Sequence, residues 1–294
     1  MITIVVHQFS IILLSCLISA CIAVTVTAQQ FTAEAFSADS IYKPDIAATV
    51  HTAPAMYIKE WLHKKQLTEA GTIKNKEHLF RFGLLETLQT EFSFWNDSTF
   101  LQESDTLAIP RMKTYWAAIG LFPAARQLHD SLWQERNPWS AAFISWVMKT
   151  AGAGNKFRYA KMHAEYIVWA RNNARKKNNL PKAYAVNDQR AAWPQPGDLL
   201  CKNRNGKSYS LSSLCSSCIS HCDIVLEVDT LNGIITTIGG NVKNRVNKTL
   251  VYVNRDGFID IKCPSITTDK NGFLVAGNQQ EYFAVIRMNW KQHK

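Results

Sequence analysis

"HCDIVLEVDTLNGIITTIGGNV", residues 221–242, holds two runs rich in Ile, Val and Thr, parted by "DTLNG" at 229–233. β-Branched side chains crowd a helix and suit a pleated strand, so both runs read as strands. "TLVYVN" (249–254) and "EYFAVIR" (281–287) read the same way, with "VKNRVNK" (242–248) as a break. Upstream, "PQPGDLLCK" (194–202) is a turn followed by a short strand. Short connections between such runs imply antiparallel pairing.

Before Pro181 the period changes. "KEHLFRFGLLETLQTEFSFW" (76–95), "IPRMKTYWAAIGL" (109–121), "AARQLHDSLWQER" (124–136) and "YAKMHAEYIVWARNNARKK" (159–177) place apolar residues three and four apart, the helical spacing. "NPWSAAFISWVMKTAG" (137–152) is a helix with Asn137 expected as N-cap, Pro138 at the first position and Ser140 at the third. Phe143, Ile144, Val147 and Met148 form its apolar face. Helices first and an antiparallel sheet second indicate an α+β chain.

The chain has 294 residues, enough for one large domain or two small ones. Its 47% hydrophobic and 11% aromatic content supports a sizeable core and excludes global disorder. Residues 1–28 lack any Lys, Arg, Asp or Glu, and "VTA" before Gln29 fits a signal-peptidase site. "ISAC" offers a second reading, a lipoprotein signal that would acylate Cys21, and retention of the segment as a membrane helix is a third. Residues 29–79 form a lead-in with some helical character, and 80–294 the α+β domain. The net charge of +10 suits an anionic partner such as a cell-wall polymer or membrane surface. Export argues against nucleic acid. A periplasmic or secreted location favours paired cysteines.

Several residue types point to chemistry. Ser140 stands at a helix start, His221 at the start of a strand, Asp223 on the same strand face, and Asn241 at the end of the next strand. A nucleophile, a base and an orienting polar group are the parts of a covalent acyl-transfer site. Each residue also has a plainer use: Ser140 as a helix-start residue, His221 in the core, Asp223 at a turn, Asn241 after two glycines. Trp139 and Tyr166 are candidate cleft walls, and His163 either lines the cleft or lies on a helix surface. "CSSCISHC" (215–222) superficially offers a zinc cluster, but adjacent His221 and Cys222 would point to opposite faces of a strand. No metal and no cofactor are expected. A glycan-cleaving alternative would use Glu86 or Glu91 as general acid, with a second carboxylate about 5–9.5 Å away.

"WSAAFISWV" resembles the nucleophile helix of NlpC-type and CHAP-type papain-fold peptidases, with Ser140 at their cysteine position. "PGDLL", "SHCDIV" and Asn241 are similar to the other blocks of those families. The blocks "PWSAAFIS", "GDLLC", "HCDIV" and "GGNV" more closely resemble the domain of unknown function family 2272 (DUF2272) over roughly residues 80 to 290. The resemblance implies a papain-like fold and hydrolysis of an amide bond in peptidoglycan. Ser140 would be nucleophile, His221 base and acid, and Asp223 or Asn241 orienter, with Ser140 and His221 facing each other across one cleft. A catalytically inactive module that binds cell wall or a partner protein is the alternative. In the papain-like arrangement, Cys201 and Cys222 would lie on neighbouring strands and form a disulfide that points Cys222 away from Ser140.

Overall fold

Helical spacing is realised in α1 (Lys76–Asn96), α2 (Ala108–Ala118), α3 (Ala125–His129), α4 (Ser131–Arg136), α5 (Ser140–Thr150) and α6 (His163–Ala174). The structure is a computed structural model describing residues 76–96, 100–260, 262–269 and 274–288. The expected leader over 1–28, Cys21 and nearly all of the 29–79 lead-in lie outside the described residues. Leu84, Leu88 and Trp95 of α1 and Met112 and Tyr115 of α2 are fully buried, and both helices pack on α5. Asp130 caps α4, its carboxylate accepting the amides of Leu132 and Trp133 at 2.9 and 3.3 Å.

The start of α5 differs from expectation. Asn137 closes α4 instead, donating through Nδ2 to Trp133 O at 2.9 Å. Trp139 takes the N-cap place of α5, so Ser140 is the first helical residue rather than the third. Burial decides this: Trp139 is fully enclosed, stacked on Trp95 and Tyr115 at 5.3 and 5.5 Å. Its ring position sets where the helix begins.

The strands are β1 (Lys182–Ala185), β2 (Leu199–Asn203), β3 (Ser220–Asp229), β4 (Ile234–Gly239), β5 (Asn247–Tyr252), β6 (Lys262–Thr268) and β7 (Leu274–Arg287). Strands β2 to β6 pair antiparallel in chain order. β7 pairs with β6 through its first half and with β2 through its second, and β1 adds to the outer edge of that second half. The circuit β2-β3-β4-β5-β6-β7 is therefore closed: a six-stranded antiparallel barrel. This overturns the papain-like expectation, which required a sheet covered by helices rather than one closed on itself. The reason lies in β7, whose 14 residues are long enough to bridge two strands that would otherwise be edges. Register shifts at Cys201/Lys202, Val225/Glu227 and Pro264/Ile266 supply local bends that help the sheet curl.

Alternation along the strands sorts two cores. Leu200, Val225, Ile235, Val251, Tyr282 and Val285 come from different strands yet form one cluster, which places them inside the barrel. Leu199, Ile224, Ile238, Ala284 and Ile286 point the other way and are also fully buried, on the wall where α5 and α6 pack. The functional candidates sit where the helical layer meets the rim of the barrel.

Candidate functional site

Two histidines meet at this rim, their ring centroids 4.9 Å apart. His163 begins α6 and His221 is the second residue of β3. The pairings Leu200↔Asp223 and Lys202↔His221 put Lys202, His221 and Asp223 on the inward face with Leu200. Cys201 and Cys222, directly opposite each other on the outward face, form a disulfide with Cα atoms 4.1 Å apart.

His221 Nε2 lies 2.7 Å from Asp223 Oδ1, and Lys202 Nζ donates to Asp223 Oδ2 at 3.1 Å. Burial alone would push the Asp223 carboxyl upward, but the Lys202 ammonium and His221 hold it far below the usual carboxylate range. An ionised carboxylate only accepts, so His221 Nε2 carries the proton and donates. Burial also depresses the His221 imidazole, against the opposing pull of Asp223, so the ring is neutral near pH 7. Its Nδ1 is then a lone pair, and that atom is buried with no hydrogen-bond partner among the described residues.

The strand β4 ends at Gly239 and Gly240 follows it, each needed for a close approach. A methyl group on Gly239 would sit 1.7 Å from Asp223 Oδ1, and one on Gly240 would sit 2.6 Å from Phe143 Cβ on α5. The glycine pair thus lets the acidic strand and the serine helix close on the same strand end.

Ser140 does not meet His221 directly. Its Oγ lies 2.6 Å from His163 Nε2. His163 Nδ1 accepts the Cys222 backbone N–H at 3.2 Å and faces the Tyr166 hydroxyl. A backbone N–H can only donate, so Nδ1 must be unprotonated. Burial holds the Tyr166 phenol well above its usual range, keeping it a neutral donor as well. Burial, then the neighbouring His221, pushes His163 well below the usual imidazole range. His163 is consequently the neutral Nε2–H tautomer and donates to Ser140 Oγ. The serine hydroxyl hydrogen is left for a different acceptor.

The other sequence-derived candidates fall as follows. Trp139 is core rather than cleft wall: its ring is buried in the aromatic stack and its Nε1 donates to Glu103 Oε2 at 2.7 Å. Tyr166, also expected as a cleft wall, is fully buried behind His163. His163, far from a helix surface, is 5% exposed. Asn241 occupies a left-handed turn position with φ 56° and makes no hydrogen bond to the cluster; Asp223 alone orients His221. Of the two alternatives for a glycan-cleaving acid, Glu91 is buried and held by Arg111 Nε at 3.1 Å, and Glu86 of the same helix is exposed.

Sequence reasoning missed Lys202 and Arg204. Lys202 carried a signal: a lysine ending the apolar strand "LLCK" needs a buried anion nearby. Arg204 is half-buried and makes no side-chain hydrogen bond among the described residues. Burial lowers its guanidinium against the attraction of Asp223 and Glu103.

A family model described as "Uncharacterized protein conserved in bacteria (DUF2272)" matches residues 103–290, which include every member of this cluster. The chain belongs to the DUF2272 family. No curated protein and no solved structure matches it. Within this DUF2272 member, the match spans helices α2 to α6 and all seven strands. It carries no link to the NlpC-type or CHAP-type peptidases.

Proposed function

We propose that this DUF2272 protein is an acyl-transfer hydrolase in which Ser140 is the nucleophile and the His221–Asp223 pair its general base. One observation carries the reading: Asp223 fixes His221 through Nε2 and leaves a buried Nδ1 lone pair with no partner among the described residues. A buried basic nitrogen is costly unless something uses it. Attack on a carbonyl carbon would pass the Ser140 proton to that nitrogen through one bridging water or after substrate draws the two together, and return it to the leaving group. His163 holds Oγ through its Nε2–H and cannot itself be the base. The amide groups at the start of α5, with no side-chain cap, are suited to receive the developing oxyanion.

The substrate class we favour is an amide bond in peptidoglycan, cleaved by exported protein. The charge of +10 and the half-buried Arg204 guanidinium, attracted by Asp223 but without a side-chain hydrogen bond among the described residues, fit a substrate rich in carboxylates. A fluorophosphonate probe should label Ser140 in the wild type, not in Ser140→Ala, and weakly in His221→Ala. Incubation with purified sacculi should release fragments under the same dependence. A binding module is the second reading, favoured by closure of the cluster: Ser140 is 1% exposed and His221 4%. Sacculus binding without labelling or release, equal in all three proteins, would establish that reading instead.

A further inference from the structure

The connection between β2 and β3 contains a second disulfide, Cys215–Cys218, in a stretch otherwise rich in serine. It spans a sequence separation of 3, against 21 for Cys201–Cys222. The constraint a disulfide places on the unfolded chain grows with loop length, so this one does little for stability. Its turn is already held without it, because Cys218 N–H donates to Cys215 O at 3.0 Å. Arg171 Nη1 pins the preceding segment through the carbonyls of Leu211, Ser212 and Leu214 at 2.8–3.1 Å. Breaking the S–S bond would therefore leave both sulfurs in place, ready to re-form it.

Each sulfur also has a donor. The Cys215 backbone N–H points at Cys218 Sγ at 3.0 Å, and the Ser217 hydroxyl is 3.5 Å from Cys215 Sγ. A disulfide gains little from donors, whereas a thiolate gains much, and such contacts lower a thiol pKa. Cys215 is exposed while Cys218 is 7% exposed, so only the Cys215 sulfur is open to an incoming group. Both sulfurs of Cys201–Cys222 are fully buried.

From this turn we infer a thiol–disulfide exchange site at Cys215–Cys218, whose co-substrate is a dithiol. A thiolate of the dithiol attacks Cys215 Sγ, the S–S bond breaks, and Cys218 leaves as a thiolate held by the Cys215 amide. The second thiol of the co-substrate, as its thiolate, then attacks the mixed disulfide and displaces Cys215. The co-substrate ends as a disulfide, two electrons and two protons having passed to the cysteine pair. The reverse sequence oxidises a dithiol. Cys218 lies three residues before His221 in the chain, so exchange takes place on the segment that leads into the histidine strand.

The test uses the folded full chain titrated with dithiothreitol, quenched by alkylation and read by peptide mass. Cys215 and Cys218 should open at a reductant concentration at least ~10-fold below that needed for Cys201 and Cys222, because the attacked sulfur is exposed. Exposure alone could give that selectivity, so a second measurement decides. In protein reduced only at this pair, the pH dependence of iodoacetamide alkylation should give a thiol pKa below the free-cysteine value of about 8.5. Ser217→Ala should move the Cys215 value back toward it. An ordinary pKa, or opening of both disulfides together, overturns the site. The Cys215→Ser/Cys218→Ser variant should keep its near-UV circular dichroism; collapse of that signal would make the disulfide structural and overturn the proposal as well.

Discussion

His163 and His221 are the same ring in the same tautomer, in rim positions 4.9 Å apart, and they are equipped for opposite tasks. Both are buried and neutral, and both carry the proton on Nε2. On the helix, His163 has Nδ1 occupied by the Cys222 amide and the Tyr166 hydroxyl, so its remaining capacity is donation to Ser140. On the strand, His221 spends its donor on Asp223 and keeps a basic nitrogen that no described residue occupies. Proximity to a serine does not make a histidine its base; the partner of the far nitrogen decides.

The comparison breaks most severely at Asp223. Asp223→Asn removes the charge that fixes His221 and leaves Lys202 buried without its counter-ion. The expected loss is about 3–5 kcal/mol in denaturant unfolding, the range for breaking a buried pair. Adding Lys202→Met should recover part of it. A loss below about 1 kcal/mol would mean that the inward charges are solvated.

Next in size is the split between the histidines in activity. His221→Ala should lower fragment release from sacculi by roughly 10³-fold, within the span for a general base. His163→Gln, which keeps a donor near Ser140, should cost only about tenfold, the worth of one hydrogen bond. Equal losses would erase the distinction drawn from the tautomers.

Acid should report both rings at once. Their imidazoles are held below the unfolded value near 6.5, so the unfolded chain binds more protons as pH drops. Stability is therefore fully present above about pH 6.5 and falls below it, by at most about 2.7 kcal/mol per pH unit for two groups. Urea midpoints between pH 7.5 and 5 measure the slope. His163→Gln should halve it, whereas a flat profile would contradict two buried neutral rings.

The smallest effect belongs to Tyr166→Phe. It removes one donor from His163 Nδ1 and leaves the Cys222 amide to hold the tautomer. About 1 kcal/mol of stability should go, with activity nearly unchanged. A large activity loss would show that the backbone donor alone does not set the ring.

Much of this was legible in local pattern. The helices of α1, α2 and α6 follow their apolar spacing, and β3 and β4 follow their β-branched runs, because burial on one face imposes the period of the element itself. The strands that close the barrel were the illegible ones. β6 contains Pro264, which removes a ladder donor, and the first half of β7 reads Leu274–Val–Ala–Gly–Asn–Gln–Gln280, weak in β propensity. Neither segment reads as a strand, and without them the sheet stays open and the papain-like arrangement looks sufficient.

The sequence by itself determined the order of helices before strands, the stock of reactive side chains and the membership of Asp223 on the His221 face, since these depend on residues close in the chain. Only the tertiary structure decided that the sheet closes, that Trp139 starts α5 at Ser140, and that Ser140 meets His163 across 23 residues instead of His221. Hydrogen-bond capacity is a property of each residue, but the partner that takes it up is set by packing. Here the Cys222 amide, on β3 beyond the end of β4, takes up Nδ1 of His163 and makes that ring a donor, while Asp223 takes up the Nε2–H of His221.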